Sequence, residues 1–316
     1  MKPPLHPRVD VIAEDGTVVP AIAPLIVSAS RATDIPAFFA RWFMDRLDKG
    51  YVRWVNPFNG KPYYVSFENC RLIAFWSKNP SPIFPFLERI DRRGLRYFFQ
   101  ITINDYEREG FEPVLPPLDR RITTLLELSR RIGRAKLLWR FDPLILTRTT
   151  GPEVLLEKIE RIGDRIAPAV SRLTISFLSP YRSVLKRMNL RGVIPIEPSI
   201  EDIAFLGSGL TALGKKWGLD VVTCAESNDL TPWGIPPGSC IDPIYLKKVF
   251  HDEPALLQLI DTVRQDELFE DVTIIRERLK DPGQRPLCNC MISKDIGAYG
   301  TCSHGCIYCY AQRRAS

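Results

Sequence analysis

Leu72-Ile73-Ala74-Phe75-Trp76-Ser77-Lys78-Asn79-Pro80 is the stretch on which the fold turns. Five apolar residues in a run make a short buried strand, and the polar Ser77-Lys78-Asn79 with Pro80 ends it. Helical spacing follows over Ile83–Ile90. The same unit recurs downstream. Tyr97–Ile103 is a strand whose helix begins near Asp119, carries Ile122, Leu125, Leu126 and Ile132 on one face, and stops at Gly133. Lys136–Phe141 is a strand delivering Arg140 and Asp142. Pro152 opens its helix, with Leu155, Ile159, Ile162 and Ile166 at spacings of four and three. Arg172–Phe177 and Leu219–Thr223 are two further strands, with a helix capped by Ser199 between them (Leu206, Leu210, Leu213 and Trp217, then Gly218).

Upstream, Leu25-Ile26-Val27 is a sixth strand of this kind. After it, Asp34 caps a helix with Pro36 in its first turn, Phe39, Phe43 and Leu47 at helical spacing, and Gly50 as its stop. Tyr51–Val55 and Tyr63–Phe67 form a hairpin around Asn56-Pro57-Phe58-Asn59-Gly60. Residues 1–23 are expected to be an irregular, proline-rich lead-in. Residues 24–316 then form a single domain. Ala255–Val263 and Val272–Leu279 are expected to be helical, and Asp281-Pro282-Gly283 breaks them from a cysteine-rich tail over residues 284–316.

Six strands separated mostly by amphipathic helices predict a parallel α/β fold, because parallel neighbours need crossover connections. No G-x-G-x-x-G or P-loop follows any strand, which favours a partial or complete barrel over a nucleotide-binding open sheet. Polar residues gather where the strands end: Ser28, Ser77, Lys78, Thr102, Asn104, Arg140, Asp142, Ser176 and Glu226. That end carries the active site in parallel barrels. The tail has no room for another helix of normal length behind Cys309, so it must fold back, and a barrel mouth is the natural seat.

The composition, 45% hydrophobic and 25% charged, is that of a soluble globular protein. The N-terminal apolar run is broken by Pro20 and Pro24, so neither a signal peptide nor a membrane span is expected and the compartment is cytoplasmic. The net charge of +6 is compatible with a nucleic acid or another anionic partner. No compact basic patch with interleaved aromatics marks one, however. Eight cysteines in a reducing compartment favour metal binding over disulfides, and five of them lie between Cys288 and Cys309.

Cys302, Cys306 and Cys309 have C-x3-C-x2-C spacing, so one short loop can wrap three thiolates around a metal centre. Structural zinc and closed iron–sulfur clusters take four protein ligands, and three leave a position open. Zinc completed by His304 or a distant cysteine is the competing expectation. Cys224, Cys240, Cys288 and Cys290 could complete a second, closed cluster or zinc site, or be small buried hydrophobes. Cys70, Cys224 and Cys240 are each candidates for a hydrogen-atom donor.

Cys302-Ser303-His304-Gly305-Cys306-Ile307-Tyr308-Cys309-Tyr310-Ala311 resembles the cluster motif of radical S-adenosylmethionine enzymes, most closely the spore photoproduct lyase branch. The superfamily carries this motif in the first third of the chain, whereas here it stands at the end. Over almost the full length the sequence resembles an uncharacterised bacterial family with that permuted arrangement. The marks are Ser28-Ala29-Ser30-Arg31-Ala32-Thr33-Asp34-Ile35-Pro36, Phe75-Trp76-Ser77-Lys78-Asn79-Pro80, Trp139-Arg140-Phe141-Asp142-Pro143 and Asp295-Ile296-Gly297-Ala298-Tyr299.

The resemblance implies a partial (β/α)6 TIM-like barrel with a C-terminal cluster-binding tail. It implies a [4Fe–4S] cluster on Cys302, Cys306 and Cys309, whose open iron binds S-adenosylmethionine and cleaves it reductively to a 5′-deoxyadenosyl radical. Lys78 would lie near the ligand carboxylate, Thr102 or Asn104 would offer a hydroxyl or amide, and Arg140 and Tyr308 complete the expected cofactor contacts. The spacing onward to Glu112, Pro113 and Pro116 also resembles that branch. A flavodoxin or ferredoxin would be the electron donor, and a nucleic acid or modified nucleotide a substrate. The rival classes are a zinc-stabilised binding protein and an iron–sulfur electron-transfer protein.

Overall fold

The computed structural model describes residues 6–57, 59–261 and 279–312. Among these residues, twelve strands fall into two sheets. The smaller contains β1 (Arg8–Ile12), β2 (Val18–Ile22), β4 (Tyr51–Val55) and β5 (Pro62–Ser66) in the order β1-β2-β5-β4. The larger contains β3 (Ile26–Ala29), β6 (Leu72–Ser77), β7 (Arg96–Thr102), β8 (Leu137–Leu144), β9 (Arg172–Phe177), β10 (Asp220–Cys224), β11 (Pro237–Gly238) and β12 (Lys294–Asp295). Its order is β12-β3-β6-β7-β8-β9-β10-β11, every pairing is parallel, and it curls into a half-barrel.

The six expected strands are its consecutive members β3 and β6 to β10. Between them run α1 (Ile35–Phe38), α2 (Ala40–Lys49), α3 (Leu87–Arg92), α4 (Leu118–Ile132), α5 (Pro152–Ile166), α6 (Arg182–Leu190) and α7 (Ile200–Trp217). Ser199 caps α7 through a reciprocal bond with Asp202, and Gly50 and Gly218 end α2 and α7 in left-handed geometry.

Side chains alternate across each strand, which separates two apolar layers. Ile73, Phe75, Phe99, Ile101, Trp139 and Ile175 pack outward against Phe43, Ile122, Leu125, Ile159 and Leu210 of the helices. The opposite set, Ile26, Leu72, Ala74, Phe98 and Leu138, packs against α8 (Pro243–Val249), α9 (Pro254–Asp261) and Met291. These helices fill the hollow of the sheet at its amino-terminal end. Towards the other end the same inward row turns polar.

Four expectations are corrected. Of the lead-in expected to be irregular over residues 1–23, the described part forms a sheet edge instead: β1 and β2 pair as an antiparallel hairpin, and β2 joins β5. Pro20 is tolerated because β2 pairs with β5 only at Ala21 and Ile22, beyond the proline. The helix expected over Ile83–Ile90 is a 3-10 segment, Ser81–Phe86, followed by α3, since Pro85 cannot donate inside an α-helix. The helix from Asp34 breaks at Phe39 into α1 and α2. Between β9 and α7 the chain forms α6, which had not been expected. Of the late helices, α9 matches Ala255–Val263 as far as Asp261, while Val272–Leu279 lies outside the described residues except for Leu279.

The tail returns to the first edge of the large sheet. β12 pairs with β3, Lys294 opposite Val27 and Asp295 opposite Ser28. The Asp295 carboxylate then accepts from Ser28 Oγ (2.7 Å), Ser30 Oγ (2.8 Å), Arg31 N (2.7 Å) and Gly297 N (2.9 Å). One side chain thus ties the Ser-Ala-Ser-Arg segment to the approach to the cysteines. At Gly297 a Cβ would fall 1.9 Å from Ser30 Oγ, so only glycine fits this crossing. Gly297→Ala is expected to destabilise the protein by about 1–3 kcal/mol through overpacking. Chemical denaturation checks this, and proteolysis should release the tail first.

Candidate cysteine-loop site at the strand ends

The cysteine loop sits over the carboxyl ends of the large sheet. One cavity there is lined by Ser30, Asp34, Trp76, Ser77, Lys78, Thr102, Asp142 and Ser176 from the strand ends, and by Cys302, His304, Cys306, Tyr308, Cys309 and Tyr310 from the loop. The loop is held from three sides. Arg187 of α6 donates to the carbonyl of Ile307 (Nε, 3.2 Å) and twice to that of Cys309 (3.0 and 2.8 Å). Ile307 N donates to Phe111 O at 3.0 Å. His304 Nε2 meets Asp34 Oδ2 at 2.8 Å. Gly305 turns the loop at φ +70°, a left-handed conformation that favours glycine.

Asp34 links loop and sheet. Its Oδ1 accepts from Ala37 N (2.9 Å), capping α1, while Oδ2 accepts from Lys78 N (2.7 Å) and faces His304. His304 is therefore committed to Asp34 and to a ring contact with Phe38 at 4.6 Å. Among the described residues it is not grouped with the cysteines around a single metal ion.

Behind the loop lies a buried charge network. Lys78 Nζ donates to Glu112 Oε1 at 2.7 Å and to Tyr308 OH at 3.0 Å. Tyr308 OH donates to the same Glu112 oxygen, and Arg121 Nη1 reaches Glu112 Oε2 at 3.4 Å. Burial pushes the Glu112 carboxyl pKa up, but Lys78 and Arg121 outweigh it and hold it below the usual carboxylate range. Burial and the Glu112 charge keep Tyr308 protonated, so it acts as a donor. Tyr308→Phe removes the hydroxyl that meets Lys78, Glu112 and Asn104 together. A loss of about 1–3 kcal/mol is expected, measurable by urea unfolding.

Of the expected cofactor contacts, Lys78, Thr102 and Tyr308 line the cavity with the three cysteines, whereas Asn104 and Arg140 do not. Asn104 is fully buried. Its amide donates to Asp142 O (3.1 Å) and Tyr308 OH (3.1 Å), and its Oδ1 accepts from Asp142 N (3.0 Å). It is a brace between β7 and β8. Arg140 points into the hollow, to Asp142 Oδ2, Gln100 Oε1 (3.4 Å) and Cys240 Sγ (2.8 Å). Glu112, named in the sequence only for its spacing, and Asp34, named only as a cap, are central. Both lie in loops, where periodicity gives no signal.

Burial pushes the Cys306 thiol up to about 12 despite the Lys78 charge nearby, and raises Cys302 too. Among the described residues no three His, Cys, Asp or Glu side chains are arranged around one metal ion. Thiolates on different irons of a cluster stand farther apart than ligands of a single ion, so that finding bears on mononuclear sites. Cys224, Cys240, Cys288 and Cys290 come together elsewhere, in the hollow of the sheet. Cys70 lies apart, its Sγ 3.7 Å from Leu72 O. No described helix is long and apolar enough to cross a membrane.

No curated protein matches the sequence. Among solved structures, the Clostridial cellulose synthase subunit Z of Clostridioides difficile is similar at 13% identity over 63% of this chain and 78% of its own, with a TM-score of 0.23. The family model described as a domain of unknown function, DUF1848, matches residues 26–311, and the chain belongs to that family.

Proposed function

We propose that this chain is a radical S-adenosylmethionine enzyme, its sheet the wall of a partial (β/α)6 TIM-like barrel. Cys302, Cys306 and Cys309 would hold a [4Fe–4S] cluster. The observation that carries this reading is that all three cysteines line one cavity with the polar ends of β6 to β9. The donor set fits the group: three soft thiol ligands on one loop, all lining the same cavity. When bound, the cluster and S-adenosylmethionine supply one-electron cleavage of a carbon–sulfur bond and the 5′-deoxyadenosyl radical.

The protein's own groups position and enclose. Lys78 uses two of its three protons on Glu112 and Tyr308, and the third serves a ligand carboxylate in the cavity. Thr102 and Ser176 offer hydroxyls on the same wall. Trp76, Phe177 and Leu178 keep the cavity apolar beside them, which excludes water from reactive species. A nucleic acid or modified nucleotide would enter past Tyr181, Arg285 and Tyr310, and a flavodoxin or ferredoxin would supply the electron.

Reconstitution with iron and sulfide under anaerobic conditions tests the assignment. The protein should take up about four more irons than a Cys302→Ala/Cys306→Ala/Cys309→Ala variant. The electron paramagnetic resonance spectrum of the reduced cluster should change on adding S-adenosylmethionine. Equal iron in both proteins, or tight zinc at these cysteines, would overturn it, and a cluster with an unchanged spectrum would indicate electron transfer instead.

A further inference from the structure

Away from the loop site, four cysteines from three separate segments meet in the hollow of the large sheet. Cys224 ends β10, Cys240 follows β11, and Cys288 and Cys290 belong to the tail. All four are buried. Cys224 Sγ and Cys240 Sγ lie 3.2 Å apart, and Cys290 interacts with Cys240 and Cys288 in turn, so the four follow one another in the order Cys224, Cys240, Cys290, Cys288.

Buried cysteines are often inert small hydrophobes, and three features separate these from that reading. The sulfurs are used as acceptors: Cys240 Sγ accepts from Arg140 Nη1 at 2.8 Å, and Cys290 Sγ accepts from Cys240 N at 3.2 Å and Ile241 N at 3.4 Å. The same guanidinium meets Asp142 and Gln100, so Cys240 sits where the inward row turns polar. Arg31 faces the row as well, near Cys290, Cys240 and Cys288, and its Nη2 is buried with no hydrogen-bond partner among the described residues. Asp295 is also near Arg31, so Nη2 is the part of the guanidinium left for thiolates to serve.

The backbone around the row is also braced for precision. Arg172 Nη2 donates to Ser239 O (2.7 Å), Ser239 Oγ to Asn289 O (2.9 Å), Met291 N to Ile241 O (3.0 Å) and Asp281 N to Cys290 O (2.9 Å). Loop and tail are thus fixed to each other on both sides of the sulfurs.

We propose that Cys224, Cys240, Cys288 and Cys290 bind one thiophilic divalent metal ion, of the zinc class, as a structural tetrathiolate. Four thiolates around a divalent ion carry a net charge of −2, which Arg31 and Arg140, each also beside a carboxylate (Asp295 and Asp142), offset in part. Four protein ligands close such a site, so it anchors the tail rather than serving as a reaction centre. The row does not yet surround a point. Binding would draw its two ends, Cys224 and Cys288, together and release the thiol protons.

The test uses the full chain with Cys302→Ala, Cys306→Ala and Cys309→Ala, which removes the loop thiols and leaves all four of these in place. Titrated anaerobically with Zn2+ or Co2+, it should bind about one equivalent, and the Co2+ form should show the intense thiolate charge-transfer bands and ligand-field bands of a tetrahedral sulfur site. Zn2+ should slow alkylation of all four thiols by at least about tenfold, a readout that needs no substitution among them. Adding Cys224→Ser to the same protein should abolish the tetrathiolate spectrum. A folded protein that binds no metal and whose four thiols react alike with and without Zn2+ overturns the proposal. So does a chain that takes up iron with sulfide at these cysteines but no single ion.

Discussion

Cys306→Ala should reduce both cluster assembly and S-adenosylmethionine cleavage by more than about 100-fold, since changes merely beside a metal's ligands already cost 10–100-fold. Cys306 is the most deeply buried of the loop cysteines and the one facing Lys78. Its removal leaves two sulfurs, one short of the three that the cluster would need. The fold itself should survive: the loop remains clamped by Arg187 and by Phe111 O. Circular dichroism and iron analysis of the same sample separate the two effects. Cys70→Ala is the matched control. That thiol lies in the outward core and its loss should leave the cluster intact. Normal iron and cleavage in Cys306→Ala would remove the residue from the site.

The second large effect is on stability. Glu112→Gln keeps the shape of a side chain that is 2% exposed but removes the charge facing Lys78 and Arg121, whose side chains are 15% and 1% exposed. Lys78 would then lose its carboxylate, and Arg121 would keep only Glu107, at 3.5 Å. Breaking such a pair costs about 3–5 kcal/mol, much of it the penalty on the partner left behind. The same carboxylate gives the protein an acid-sensitive element. Its folded pKa is depressed below the ordinary value of 4.5, so its contribution is complete above that value and is lost as pH falls through the lower folded pKa. Urea midpoints measured from pH 7 downward should fall in the wild-type protein below about pH 4.5, and that component should vanish in Glu112→Gln. A variant within about 0.5 kcal/mol of wild type at neutral pH would show that the network adds no stability.

How far the molecule could be read from its sequence depended on the kind of signal. Long apolar runs such as Leu72–Trp76 and Arg172–Phe177 announced strands, and their order along the chain became their order in the sheet. The two-residue strands β11 and β12 are too short for any periodicity, yet they extend the sheet at both edges. The half-exposed alternation of Arg8–Ile12 was obscured by the prolines around it.

At the site, strand ends were informative because a polar residue closing a parallel strand has few places to point. Lys78 and Thr102 followed that rule. Arg140 broke it by turning inward to Cys240, a partner one hundred residues away. Glu112 and Asp34 act through contacts with Tyr308 and His304 separated by 196 and 270 positions, which no local pattern encodes. The seating of the tail likewise depends on Asp295 meeting Ser28 and Ser30 across most of the chain.

The most direct measurement is the product formed from S-adenosylmethionine. The anaerobically reconstituted protein, reduced with dithionite and given S-adenosylmethionine, should release 5′-deoxyadenosine and methionine in equal amounts, and the Cys302→Ala, Cys306→Ala and Cys309→Ala proteins should release neither. A fully iron-loaded, reduced protein that leaves S-adenosylmethionine intact would contradict the account.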